Sequence, residues 1–296
     1  MARFGIMEMQ LNRLLAVNDQ AKDAVDYILN FDRGQLVNGL VREGFNLIEL
    51  GGDLGLFFPT AYEEKNIQRL LTLKQNLGLN YTVHLPLWSV EPSTPLEPVR
   101  LGSVDALLDV IDAVVPLDPE VFVLHATGAL AAEFYRMKLP EIAKSLALKQ
   151  FQGGAISSIK TILDETGIPS RKLAIETIEF PFDLTLEIAE LLDLSLCLDT
   201  GHVLAGFSGS LSIMDALKAC SPRLAEIHLH DSPNFLKTGQ LGYGKDHQAL
   251  GTGELNTSQL FQFIKHHNFN GPIIFELTVE EAKNSLKHLQ ESGVKI

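Results

Sequence analysis

An α/β fold of the (β/α)8 type, a TIM barrel in a single domain spanning 1–296, is what this sequence predicts, on three observations. Eight short apolar, β-rich segments recur along the 296 residues, and segments with helical spacing lie between them. Ligand-type polar residues fall at or near the carboxyl ends of the apolar segments, and in a barrel those ends converge on one face. A doubly wound open sheet shares the first two features; the third favours the barrel.

The elements follow in order. RFGIMEM, from Arg3, is the first strand, and an insertion near 10–33 carries the helical pattern AKDAVDYILNF. FNLIELG, from Phe45, places Glu49 near the end of the second strand, and YTVHLP, from Tyr81, delivers His84 from the third. A second insertion near 87–102, LWSVEPSTPLEPVRLG, holds three prolines and Arg100. Proline fixes φ, so this segment predicts an ordered, stiff loop over the barrel mouth, with Ser103 as the N-cap of a helix over 104–115.

VFVLHA delivers His125 ahead of a helix over 142–163, and LAIET delivers Glu176 ahead of a helix over 185–192. LSLCLDT ends on Asp199, with His202 three residues on in the turn. LAEIHLHDS sets His228 and His230 on one strand face, with Asp231 just beyond. KDHQALGTGEL then presents His247 before a glycine-rich turn and a helix over 257–266. PIIFELT delivers Glu276, and Thr278 caps a last helix over 279–289.

A formal net charge of −13 repels polyanions, and no run of Lys and Arg offsets it locally, so nucleic acid is a disfavoured partner. Divalent cations would reverse the sign inside a cleft. Cys197 and Cys220 are too few for a disulfide framework. No secretory signal pattern or membrane-length apolar run is present, which gives a soluble, cytoplasmic protein as the expectation and leaves homo-oligomers open.

A histidine or carboxylate at one strand end is more often a structural residue than a ligand. Several carboxylates buried in one barrel mouth with few basic residues near them change that weighting, because uncompensated charge is costly there and cations are the simplest solution. His with Glu and Asp suits zinc, manganese, iron or cobalt better than calcium.

The set VHLP, LHATG, IET, LDTGH, HLHDS, DHQALGTG and FELT resembles the xylose-isomerase-like barrels, which include endonuclease IV and many sugar-phosphate isomerases and epimerases. The resemblance runs over most of the chain and implies that His84, His125, Glu176, Asp199, His202, His228, His247 and Glu276 hold one to three divalent ions, most often zinc or manganese. For a hydrolytic centre we assign His84 with His125 to one ion, Asp199 with His228 to a second and His202 with His247 to a third, with Glu176 bridging, Glu276 holding an ion or orienting the attacking water, and these two as the catalytic carboxylates. His230 and Asp231 are expected to support the ligands, and Lys245 and Arg100 to meet a substrate phosphate. One departure stands out: Lys245 occupies the position of an expected aspartate ligand, with Asp246 displaced by one.

The expected function is metal-dependent hydrolysis of a phosphodiester, in a small metabolite rather than in DNA. A loose likeness of VHLPL and PVRLGSV to a cobamide-remodelling branch makes the cobamide nucleotide loop one candidate substrate. The alternatives are a single-metal sugar or sugar-phosphate isomerase or epimerase, in which Glu176 and Glu276 move protons, and a noncatalytic ligand-binding barrel.

Overall fold

Eight parallel strands close in sequence order, and the first pairs with the last, in the computed structural model, which describes residues 3–10, 14 and 21–294. They are β1 (Arg3–Met7), β2 (Leu47–Gly51), β3 (Asn80–His84), β4 (Phe122–Leu124), β5 (Leu173–Glu176), β6 (Ser195–Asp199), β7 (Leu224–His228) and β8 (Pro272–Phe275). Each lies inside or across one of the eight apolar segments, and the predicted α/β barrel is the observed fold.

Alternation along the strands divides the core in two. Ile48, Leu50, Tyr81, Val83, Leu196 and Leu198 pack against the surrounding helices in the main apolar cluster. Val123, Ala174 and Cys197 form a separate small cluster inside the barrel. At Gly5 a Cβ would lie 2.6 Å from the Ile274 side chain and 2.7 Å from Leu47, so only glycine fits there. Register then levels the polar strand ends: Gly51 opposes His84, Glu176 opposes Cys197, and Asp199 opposes His228.

The helical pattern of the first insertion is a helix over Ala21–Leu29, followed by one over Arg33–Arg42; residues 11–13 and 15–20 of that insertion lie outside the described residues. Arg33, fully buried, reaches back to the end of β1, where its Nη2 and Nε meet the two oxygens of the equally buried Glu8, Nε at 3.2 Å. Glu8 Oε1 also accepts from Gly51 N at 2.8 Å, which ties β1 to β2 at the site end of the barrel.

Two expectations for the second insertion are corrected. The loop ends at Leu96, because a helix starts at Glu97 and runs to Val114. Pro98 lies in its first turn, where a backbone N–H would have no intrahelical partner and a fixed φ costs nothing. Ser103 therefore lies inside this helix and caps nothing; its hydroxyl donates to Val99 O at 2.8 Å and accepts from Glu91 N at 2.9 Å, pinning the loop to the helix.

Thr278 does cap the last helix, Val279–Glu291, in a reciprocal pair with Glu281. Thr278→Ala should lower unfolding free energy by about 1 kcal/mol in urea titration. Among the described residues, no helix is long and apolar enough to cross a membrane.

Candidate metal centre

The sequence LDTGH folds tightly because Asp199 both ends β6 and caps the helix Thr200–Ala205, accepting from His202 N at 2.6 Å. That single turn swings the His202 ring back over the strand ends. Gly201 is required at its start: a Cβ there would fall 2.1 Å from His230 Nδ1 and 2.2 Å from the Asp246 carbonyl oxygen.

Five overlapping groups of candidate ligands result among the described residues, each with its ligand atoms within 4.8 Å of one another; His84, His228 and Glu276 make one, Glu49, Glu226 and His228 another, and the other three outline the centre. In the first of these three, Glu176 Oε2 lies 3.1 Å from His84 Nε2 and 3.0 Å from His125 Nε2. In the second, His228 Nδ1 lies 3.6 Å from Glu176 Oε1, 3.8 Å from Asp199 Oδ2 and 3.4 Å from Glu276 Oε1. The third joins His202, His230 and His247, with the His230 and His247 rings stacked at 4.2 Å between centroids. Glu176 belongs to the first two groups, with one oxygen toward each.

The residues fit bound cations on two counts. Glu176 Oε1 and His228 Nδ1 are buried with no hydrogen bond, although His202 Nδ1 lies 3.1 Å from the former outside hydrogen-bonding alignment. A buried carboxylate oxygen and an imidazole nitrogen that face one another across 3.6 Å, neither of them hydrogen-bonded, are suited to share a cation. The cavity lining also contains no Lys or Arg among the described residues, so imidazoles alone offset its carboxylates.

His228 is held from behind. Its Nε2 lies 3.3 Å from Glu49 Oε1 and 3.8 Å from Glu226 Oε1, all three residues being buried. Burial and the Glu49 carboxylate push the Glu226 carboxyl well above its usual range, so a proton is retained between the two acids. An acid behind one ring nitrogen fixes the ring and leaves the other for a cation. Sequence reading noted Glu49 as a strand-end acid but did not place it or Glu226 in the site; the signal was that Glu226 and His228 are two apart on β7 and share its inner face.

The remaining predicted residues divide. His230 lies within the cluster, its Nε2 2.7 Å from Asp199 Oδ2 and its Nδ1 on the Asp246 carbonyl. Asp246 comes close where Lys245 does not: its Oδ2 lies 3.0 Å from His247 Nδ1 and 3.7 Å from His202 Nε2. Asp231 is corrected from a ligand support to a loop anchor, accepting from Gly251, Gly253 and Leu255 backbone N–H at 2.8–3.0 Å. Lys245 is exposed outside the cavity lining. Arg100 also misses it, meeting Ser157 at 3.3 Å and Glu97 at 3.7 Å on the outer helices.

Electrostatics tie the cluster to pH. Burial disfavours the charged form of His84, but the Glu176 carboxylate outweighs it and raises the group to about 9; for His202, burial is likewise outweighed by Asp199 and Glu176, again to about 9. Both start from 6.5, so in the metal-free chain these pairs stabilise the fold fully below pH 6.5 and fade as pH rises through about 9. A divalent ion needs the unprotonated rings. Affinity for zinc should therefore rise with pH across this window, with proton release detected by calorimetry in buffers of different ionisation enthalpy. Affinity independent of pH from 6.5 to 9 would contradict this assignment.

Comparison with known proteins adds two kinds of likeness. Residues 39–292 match the family described as "Xylose isomerase-like TIM barrel". A probable endonuclease 4 of Mycobacterium leprae is 26% identical over 236 residues, covering 79% of this chain and 86% of that protein. An uncharacterized protein of Methanocaldococcus jannaschii is 26% identical over 236 residues, covering 77% and 80%. Among solved structures, a D-tagatose 3-epimerase-like protein superposes with a TM-score of 0.71 at 20% identity, covering 99% of this chain and 98% of that one. The 3-keto-D-glucoside 4-epimerase of E. coli gives 0.68 at 14%, covering 98% and 100%. At these identities the structural likenesses speak to fold alone.

Proposed function

The chain belongs to the xylose isomerase-like TIM barrel family, and from that premise we propose that it is a metal-dependent hydrolase of a phosphodiester in a small metabolite. The observation that carries this reading is Glu176, whose two oxygens face two different ligand groups, with the third group beside them. A proton-transfer reaction at carbon needs one cation; a set of adjoining ligand groups suits a displacement at phosphorus, where charge develops on several oxygens at once. Divalent ions bound there would supply Lewis-acid charge stabilisation and lower the pKa of water toward neutrality.

The chain's own residues complete the chemistry. Glu276 lies 3.4 Å from His228 Nδ1 and 3.3 Å from His247 Nε2, and His228 and His247 hold its carboxyl well below the usual range against the effect of burial. It stays ionised at neutral pH, able to orient and accept a proton from an attacking water. His247 is the most open member of the cluster, with a side chain 43% exposed. A cavity of about 710 Å³ accepts a metabolite or a fragment of one, and the net charge of −13 counts against a DNA duplex. The cobamide nucleotide loop is one candidate of suitable chemistry.

The second reading, a single-metal sugar isomerase or epimerase, draws on the group Glu176, Asp199, His228 and Glu276, which suffices alone for one cation, and on the epimerase barrels of like fold. His84→Ala and His125→Ala separate the two. The hydrolytic reading expects each to lower kcat/KM on a phosphodiester panel by at least about 10²-fold. Zinc- or manganese-loaded chain that cleaves no diester, but incorporates solvent deuterium into a ketose with both variants active, would overturn it in favour of the second.

A further inference from the structure

We infer that the part of the cavity lined by Met7, Met9, Leu87, Trp88, Leu277 and Val279 is a subsite for a flat apolar group, an aryl or heteroaryl ring, esterified to the phosphate held at the cluster. The phosphate half of this inference rests on the hydrolytic reading; the ring half rests on the wall itself. This wall comes from the carboxyl ends of β1 and β8 and the loop after β3, continuous with His84, His125, Glu176 and Glu276.

The polar groups of this wall are already engaged. The Gln10 amide donates to Met7 O and Leu277 O at 3.0 Å each, and its oxygen accepts from Val279 N at 3.1 Å. Asp53 accepts from Leu87 N at 2.9 Å and Trp88 N at 3.4 Å, which fixes the loop that carries the indole. Gly51 N is taken by Glu8 and Gly52 N by His84 O, while Thr278 and Glu281 satisfy one another. Among the described lining residues of this wall, Glu280, exposed at the rim, is the polar side chain with no partner.

A polyol seated against the methionines, the leucines and the indole, away from Glu280 at the rim, would bury hydroxyls without partners, each costing roughly tenfold in affinity. A ring has no such cost and gains apolar contact with both methionines and the indole. Trp88 is positioned for this: it is 54% exposed, its aromatic neighbour Phe57 meets it at 88° with centroids 5.9 Å apart, and among the described residues no ring stacks on it.

Trp88 is the only tryptophan of the chain, so its emission reports occupancy of this wall directly. Diphenyl phosphate and di(glyceryl) phosphate carry the same charge and differ in what the ester bears. With metal-loaded protein in calorimetry, diphenyl phosphate should bind at least about tenfold tighter, with a saturable change in Trp88 emission over the same concentration range. Trp88→Ala, an exposed position whose loss should leave the melting temperature unchanged, should reduce that preference to about threefold or less. Equal or tighter binding of di(glyceryl) phosphate, or a diphenyl phosphate preference that leaves Trp88 emission and the Trp88→Ala ratio unmoved, would overturn the inference. The two readings fail separately. A ring preference without cleavage of any diester removes hydrolysis and keeps the subsite; cleavage of both esters with equal kcat/KM removes the subsite and keeps hydrolysis.

Discussion

Glu176→Gln is expected to lower kcat/KM for phosphodiester cleavage by roughly 10³-fold or more and to reduce bound metal by at least one ion per chain. The size of the effect follows from position. One oxygen of Glu176 faces His84 and His125 and the other faces His228, so a single side chain serves two ligand groups. Glutamine keeps the volume but loses the charge, and its amide nitrogen would point at imidazole nitrogens or a cation. His125 and His228 also hold the Glu176 carboxyl well below its usual range despite burial, so the metal-free fold gains stability from it above the ordinary carboxylate pKa and loses that contribution as pH falls. The variant should therefore show a weaker acid dependence of metal-free stability as well as lost activity. Metal analysis and urea titration at pH 4 and pH 7 check the two effects independently.

The largest effect on stability is expected at Arg33, which lines no part of the cavity. Arg33→Met leaves Glu8 buried and charged without its partner, which costs about 3–5 kcal/mol. It also strips the donor from Ala61 O, 3.3 Å from Nη1, and removes the guanidinium that lies 4.6 Å over the Tyr62 ring. Adding Glu8→Leu should recover most of the loss, because an apolar pair of similar volume avoids the uncompensated charge. Thermal and urea unfolding of both variants measure this. A single variant within about 1 kcal/mol of the parent would show that the pair is not what holds β1 to the helix Arg33–Arg42.

The barrel and the cluster were legible for one shared reason. A strand buried on both faces is apolar throughout, so a His, Glu or Asp at its end stands out, as His84, Glu176, Asp199 and His228 do. Their convergence followed from topology, since parallel strands in sequence order bring all carboxyl ends to one face. What was not legible depended on distance along the chain. Glu8 and Arg33 are 25 residues apart, and nothing local marks either as a buried partner. Nothing local marks Glu226, because the group that acts on it, Glu49, lies across the barrel. Asp231 sits beside two histidines in HLHDS, yet its carboxylate is turned to the backbone of residues 251–255, a contact that the spacing of ligand-type residues does not reveal. Pro98 misled differently: proline breaks a helix interior but suits a first turn, and sequence alone did not say which applied.

Metal content per chain tests the central claim most directly. The protein should be purified without chelator or a metal-binding tag, equilibrated with excess zinc or manganese, and measured by inductively coupled plasma mass spectrometry after removal of free ions. The shared position of Glu176 and the adjoining histidine group predict more than one equivalent, with the excess lost in His84→Ala and His125→Ala. A single equivalent that stays single under excess metal, unchanged in both variants, would contradict a multinuclear hydrolytic centre.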